Sequence, residues 1–325
     1  MLLILVSVII PCYNGWKYMG RCLKALENQT LSPYEVIIAD DCSIDDSFEQ
    51  IEAYMKTSSL NIIHIKNKIN CGPGATRKNA LEVATGQYVS FCDCDDWYEN
   101  DFIEKMCKSI EDNFSDIVIC DTYSTYDDRK LVAHVTRDLV GNDKKNILTK
   151  YAASLCRLVV KRELFQNLNM PEIYNAEDAA IVPQLFVKAC KISIVDEPLY
   201  NYYFRENSAS NKPSEKTYIY IIQAYKVIEE VLKNTYRDEC EFLGVKMVCY
   251  GATLNAFKVG ISSKKVKTFL NEFTCNYPDW YSNKYLKDFN KVKKIYLLFL
   301  KYKFYFLVKI MSKLHFKYTK IRRKK

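Results

Sequence analysis

Histidine is scarce in this chain, with three in 325 residues, and none of its 13 cysteines forms a C-x-x-C pair. A zinc site therefore has little support. The cysteine count is odd, and Cys12, Cys92 and Cys120 sit in apolar patterns, so the thiols read as buried and reduced, as suits a reducing compartment. Glycine is also rare, nine in all, and neither G-x-x-x-x-G-K-[ST] nor G-x-G-x-x-G occurs. Gly72 and Gly74 are read as turning the chain into a helix, not as a phosphate loop. There is no uninterrupted run of about 18 apolar residues, so a spanning helix is not expected. The opening "MLLILVSVIIPCYN" lacks a positive leader and a small-residue cleavage site, and Pro11 ends its apolar run; it reads as a first buried strand. Acidic residues are missing from one segment. The last 35 residues carry 13 Lys or Arg and no Asp or Glu, while the rest holds 34 basic and 39 acidic residues. The net charge of +8 thus belongs to the tail, and nucleic acid is not an expected partner.

What is present is an alternation of strand and helix patterns, in a chain long enough for about two domains. "LVSVIIPCYN", "YEVIIADD", "LNIIHIKN" and "QYVSFCD" read as strands. "WKYMGRCLKALENQ", "DDSFEQIEAYMKTS" and "GATRKNALEVAT" read as the helices between them. Such alternation predicts an α/β fold with a mostly parallel sheet flanked by helices, in which ligands sit beyond the carboxyl ends of the strands. Asp and Asn collect there, in "PCYN", "ADDCS" and "DCDDW". Further on, "SDIVICDTYSTYDDRK" predicts a strand entering a polar hairpin. "YAASLCRLVVKRELF" and "NAEDAAIVPQLFVKAC" predict helices, and "ISIVDEPLYNYYFRENSAS" an extended segment. From about Tyr218 the pattern is helical to the end.

Asp93, Asp95 and Asp96 place three carboxylates within four residues. Their repulsion is relieved by a divalent cation, and oxygen donors without His or Cys suit Mg²⁺ or Mn²⁺. Cys92 and Cys94 alternate with them and, in an extended segment, face the other way. An Asp-rich turn leading into the helix of "ENDFIEKMCKSI" is the structural alternative.

The segments "VSVIIPCYN", "YEVIIADDCSIDDS", "NCGPGATRKNALEVATGQYVSFCDCDDWY", "NAEDAAIVPQLF" and "PLYNYYFRENSAS" follow one another as in glycosyltransferase family 2, which the chain resembles over about residues 5 to 215. The resemblance implies a GT-A fold with a helical C-terminal extension, and transfer of a sugar from a nucleotide diphosphate sugar, expected to be a UDP-sugar, usually with inversion. It implies that Pro11, Tyr13 and Asn14 line the nucleotide pocket. Asp40 accepts a hydrogen bond from the base, and Asp41 and Ser43 shape that loop. Arg77 faces the nucleotide cleft. Asp93 and Asp95 form the D-x-D motif, with Asp93 near the ribose and Asp95 on the metal, and Asp96 supports them. Asp178 is the implied catalytic base with Glu177 beside it, and Arg205 and Ser208 lie near the diphosphate. Residues 1–100 are expected to form the nucleotide-sugar half of the catalytic domain, 101–217 its acceptor half, and 218–325 a helical region. The chain departs from the family at Cys42, where Gly is common, at Thr76-Arg77-Lys78 in place of A-R-N, and at Leu155-Cys156-Arg157, where Trp-x-Lys is frequent. The acceptor, a growing surface glycan or a lipid-linked molecule, is left open by that last change. A binding module without catalysis is the alternative from another class.

In the tail, where Lys is mixed with Leu, Phe and Tyr, Lys291, Lys294, Lys301, Lys309, Lys313 and Lys317 fall within one broad arc of a helix, while Lys293 and Lys303 fall outside it. Such a helix suits the headgroup region of an anionic membrane, which implies a cytoplasmic protein peripheral on the inner face of the cell membrane. A helix pair packed on the protein is the other reading.

Overall fold

The computed structural model describes residues 5–133, 135–205 and 214–322, with side chains to 315. The chain divides into two compact units, Met1–Glu206 and Asn207–Lys325.

In the first unit the strands are β1 (Val6–Cys12), β2 (Glu35–Asp40), β3 (Ile62–Lys66), β4 (Tyr88–Phe91), β5 (Trp97–Tyr98), β6 (Ile117–Thr125), β7 (Lys130–Ala133), β8 (Leu158–Lys161) and β9 (Ile192–Tyr203). Its helices are α1 (Trp16–Glu27), α2 (Ser47–Met55), α3 (Gly72–Val83), α4 (Phe102–Asn113), α5 (Lys144–Lys150) and α6 (Glu177–Lys188). The strands form one sheet in the order β3-β2-β1-β4-β8-β6-β9-β5, with β7 paired to β6. β2 is buried along its whole length and β1 along all but Pro11, as continuous apolar runs require when both faces of a parallel sheet are covered. β3, at the edge, is only half-buried. The expected parallel arrangement runs from β3 through β4; beyond β4 the sheet is mixed, with β8 antiparallel to both β4 and β6.

One expected helix is a strand. The apolar spacing of Tyr151, Leu155 and Leu158 mimics a helical stripe, yet "LVV" at 158–160 forms β8 between two short 3-10 turns. Val159 and Val160 are branched at Cβ and fully buried, paired with Val118 on one side and Val89 on the other. The slot between two strands decides against the helix.

Register sets the site. Cys12 pairs with Asp40 at the ends of β1 and β2, and β4 reaches only as far as the Ile9–Phe91 pair. Pro11, past that pair, therefore gives up no ladder bond toward β4. The three strands end side by side, and the loops that follow carry the polar residues.

The second unit is helical: α7 (Thr217–Leu232), α8 (Arg237–Gly244), a π-helical stretch over Val245–Ala252, α9 (Thr253–Lys258), α10 (Ser263–Asn276), α11 (Lys291–Lys301) and α12 (Tyr305–Arg322). α11 buries Tyr296, Leu297 and Leu300, and α12 buries Val308 and Ser312, within this unit. The Tyr296 hydroxyl lies 2.8 Å from the Thr253 hydroxyl and 3.1 Å from that of Ser312, which pins both helices to α9.

Candidate active site

The loops after β1 and β2 are laced together. Asn14 adopts a left-handed φ of 49°; its N–H donates to Ser43 Oγ (2.9 Å) and its Oδ1 accepts from the Ile44 N–H (3.0 Å). Tyr13, next to it, is exposed, and Pro11 is half-buried. Asp40 is fully buried. Its Oδ1 accepts from the Ser43 N–H (2.8 Å), while its Oδ2 has no hydrogen-bond partner among the described residues. An unpaired buried acceptor of this kind costs about 1–3 kcal/mol, so Oδ2 is a place for a ligand's donor. Asp41 does not shape its own turn. Its carboxylate accepts from the N–H groups of Cys71 (2.9 Å) and Gly72 (2.8 Å) and from Asn67 Nδ2 (2.9 Å), and so it anchors the start of α3.

α3 carries Arg77, whose side chain is only 4% exposed. Nη2 donates to Asp93 Oδ1 (2.7 Å), Nη1 donates to Glu177 Oε1 (2.7 Å), and Nη1 stands 3.8 Å from Asp178 Oδ1. One guanidinium thus joins the carboxylates after β4 to the acidic pair that opens α6. This closeness depends on Gly74: a Cβ there would lie 3.0 Å from the Pro171 carbonyl oxygen and 3.2 Å from Glu177 Cβ. It also depends on Ala176, which takes a left-handed φ of 68° just before Glu177. A non-glycine residue in that conformation is strained by about 1–3 kcal/mol, and such strain gathers at functional sites.

Asp178 is held by the Leu155 N–H, which donates to Oδ2 (3.0 Å). Its Oδ1 is buried and has no hydrogen-bond partner among the described residues. Burial pushes the carboxyl up to about 7; the Arg77 cation pulls it down, and the charges of Glu177 and Asp93 push it up. A carboxylate poised near neutrality with one oxygen free of hydrogen bonds is what a general base requires.

The segment after β4 turns instead of staying extended. The Asp96 N–H donates to the Asp93 carbonyl (3.0 Å), so the alternation expected for Cys92 to Asp95 does not hold there. Cys92 is buried with its Sγ 3.6 Å from that of Cys22. Asp96 is buried and is bound by the Tyr200 hydroxyl and by the Tyr203 N–H (2.7 Å), which ties this turn to β9. Asp95 Oδ2 accepts from Arg205 Nε (2.6 Å) and Nη2. Burial and the charge of Asp93 raise the Asp95 carboxyl, and Arg205 opposes them. Ser208 lies outside the described residues.

Among the described residues no three His, Cys, Asp or Glu converge as a ready-made metal site. Asp93 and Asp95 nevertheless fit a hard divalent cation, because Mg²⁺ is usually held by one or two carboxylates together with substrate phosphates. The raised Asp95 carboxyl marks a place where further positive charge is favourable.

Two participants are not legible in the sequence. A backbone donor such as Leu155 N–H leaves no signal in side-chain type. Tyr18, whose ring lies 3.9 Å from the Arg205 guanidinium, had one cue, its place in the first turn of the helix that leaves the Asn14 loop.

Residues 7–165 match the family described as Glycosyl transferase family 2. That span, just under half of the chain, is a glycosyltransferase family 2 domain. Glu177, Asp178 and Arg205 lie beyond the matched span of the family 2 pattern and rest on the geometry above. The uncharacterized glycosyltransferase EpsJ of Bacillus subtilis is 30% identical over 222 residues, 64% of this chain and 64% of EpsJ. The chain thus spans just under two thirds of that relative. The poly(ribitol-phosphate) beta-N-acetylglucosaminyltransferase TarS of Staphylococcus aureus is 24% identical over 250 residues, 73% of this chain and 43% of TarS. The crystal structure of S. aureus TarS 1-349 in complex with UDP-GlcNAc matches with a TM-score of 0.71 at 20% identity, covering 96% of this chain and 91% of that one. At that identity the likeness establishes the fold, the GT-A arrangement of this family with C-terminal helices.

Proposed function

We propose that the protein is an inverting glycosyltransferase that moves a sugar from a UDP-sugar to a hydroxyl of a cell-envelope glycan or lipid-linked acceptor. The observation that carries this reading is Asp178: a carboxyl raised to about 7, whose buried Oδ1 has no hydrogen-bond partner among the described residues and faces the Arg77 guanidinium that also binds Asp93. Asp178 takes the proton of the acceptor hydroxyl as that oxygen attacks the anomeric carbon, a form of assistance that contributes about 10²–10⁴-fold. Leu155 N–H and Arg77 keep the base in place. Asp40 Oδ2 accepts from the N–H of the uracil ring, and the laced loop of Asn14 and Ser43 holds Asp40 for that contact. Asp93 and Asp95 would hold Mn²⁺ or Mg²⁺. When bound, the ion neutralises charge that builds up on the leaving group. The relatives TarS, described as a poly(ribitol-phosphate) beta-N-acetylglucosaminyltransferase, and EpsJ, described as an uncharacterized glycosyltransferase, support sugar transfer to an envelope acceptor.

The tail adds an anionic membrane surface. No helix among the described residues is long and apolar enough to cross a membrane. α11 and α12 instead expose Val292, Ile295 and Leu298, and Phe306, Ile310 and Leu314, among lysines with no acidic neighbour in sequence. That combination supports peripheral attachment at the inner face of the cell membrane.

The test is calorimetric titration of UDP with and without Mn²⁺. Wild-type protein is expected to bind UDP in a Mn²⁺-dependent way, and Asp95→Ala to lose that dependence while its circular dichroism stays unchanged. UDP binding that ignores both Mn²⁺ and the substitution contradicts the metal assignment.

A further inference from the structure

The loop that leads into the acidic pair carries a large ring. Tyr174 stands three residues before Glu177 and four before Asp178. Its hydroxyl donates to the Asn70 carbonyl (3.0 Å). A Cβ placed on Gly72 would lie 3.0, 3.2 and 3.3 Å from the ring atoms Cδ1, Cγ and Cε1. Three adjacent ring atoms at nearly equal distance mean that Gly72 approaches the face of the ring, not its edge. Gly72 has a φ of 84°, so a larger residue there would be strained and would also meet the ring. Tyr174 is thus held at its hydroxyl and along one face, yet 48% of it is exposed. That exposure belongs to the side turned away from Gly72.

One helix fixes where the ring lies. Tyr174 leans on Gly72, and Glu177 Cγ and Cβ lie 3.6 and 3.2 Å from the Cβ position of Gly74. The two glycines are two residues apart in the first turn of α3, about 3 Å along its axis. The ring and the acidic pair therefore border the same turn.

We propose that Tyr174 is the platform on which a pyranose ring of the acceptor stacks, with the attacking hydroxyl turned toward Asp178. This rests on the reading of Asp178 as the base of a glycosyltransferase. The chemistry of the ring selects the ligand class. A gluco-configured pyranose carries axial C–H groups on its faces and hydroxyls at its rim, and such a face suits the apolar, electron-rich face of an aromatic ring. An open-chain polyol has no flat apolar face to offer. Because Tyr174 is already held, stacking on it costs little side-chain entropy. The acceptor, not the donor, is the occupant. The residues proposed for the donor follow β1, β2 and β4, whereas Tyr174 lies in the loop that delivers the base. The acceptor is thereby narrowed to one with a ring sugar at the attacked hydroxyl.

The experiment is saturation-transfer NMR on the full chain with UDP and Mn²⁺ present. The probes are methyl β-D-glucopyranoside, methyl β-D-galactopyranoside and sorbitol, and UDP affinity is measured in parallel by calorimetry. In the wild type, at least one pyranoside is expected to receive saturation at its ring C–H protons, and sorbitol is not. Tyr174→Ala is expected to weaken pyranoside binding about 10-fold, the size of one aromatic contact, with UDP affinity unchanged. Tyr174→Phe keeps the ring and is expected to stay within about 2-fold of the wild type, which guards against a folding defect in the alanine variant. If the wild type binds UDP but neither pyranoside, or if Tyr174→Ala binds them as well as the wild type does, the platform is overturned and the donor site stands. If Tyr174→Ala loses UDP affinity as well, the ring belongs to the nucleotide pocket and the acceptor platform is overturned. If the wild type does not bind UDP, the transferase reading falls and the platform with it.

Discussion

Asp178 gives the site a pH dependence whose sign can be worked out. Its carboxyl rises from an ordinary 3.8 to about 7, first because of burial. The base must be ionised to work, so activity is gained as pH rises through about 7 and falls about tenfold per unit below it. The acid limb of kcat/KM, which reports the free enzyme, is expected near 7. Glu177→Gln removes a like charge and is expected to move that limb down, whereas loss of the Arg77 cation moves it up. A limb near pH 4 in the wild type would show that Asp178 is not the titrating group. The same shift acts on folding. The folded state holds this proton more tightly than the unfolded chain, so this group's contribution to stability falls as pH rises from 3.8 to about 7. A second residue carries local strain. Cys42, where the family commonly has Gly, sits at a φ of 60°. Left-handed backbone costs a residue with a Cβ about 1–2 kcal/mol, and glycine's extra freedom in the unfolded chain offsets part of this. Cys42→Gly is therefore expected to leave stability unchanged or raise it by up to about 1 kcal/mol. Thermal unfolding checks this, and clear destabilisation would show that the thiol's contact near the Lys68 carbonyl matters more.

Among the elements, those whose patterns were long or strongly alternating were legible in the sequence. β1, β2 and β4, as β-branched or apolar runs closed by polar residues, and α6, with its acidic first turn, lie where the patterns put them. β8 was not legible, because a four-residue buried strand flanked by two turns has too little pattern of its own to outweigh a chance helical spacing. The site followed the same rule. Asp40, Asp93, Asp95 and Asp178 could be picked out by type and order. That Arg77 reaches Glu177, 100 residues further along the sequence, while also holding Asp93 could not, since it depends on how α3 packs against the start of α6. The tail's two readings also meet at this scale. α11 and α12 pack within their own unit, and each still leaves an apolar stripe in solvent. Deleting them would expose the partners of Tyr296 and Val308. Phe306→Gln with Leu314→Gln instead changes side chains that are 74% and 60% exposed. This pair is expected to weaken binding to phosphatidylglycerol vesicles severalfold or more, with thermal stability unchanged. Equal binding in a sedimentation assay would show that the stripe does not enter the bilayer.

For the whole molecule, charge and chemistry are carried by different parts of the sequence. The positive charge is concentrated after Lys291, and the carboxylates of the site all lie before residue 180. The donor contacts proposed at Asp40, Asp93 and Asp95 come from other residues than the proton acceptor proposed at Asp178. An enzyme and a mere nucleotide-binding module therefore differ at one atom, Asp178 Oδ1. Asp178→Asn keeps the shape and the bond from Leu155 N–H to the retained oxygen, but it cannot accept a proton. The deciding measurement is sugar transfer by this variant alongside its UDP-sugar affinity, on protein shown by circular dichroism to be folded. Transfer is expected to fall about 10²–10⁴-fold with donor affinity little changed, as when an interaction made only in the transition state is removed. Near-normal transfer, or loss of donor binding together with transfer, would contradict the assignment of Asp178 as the base.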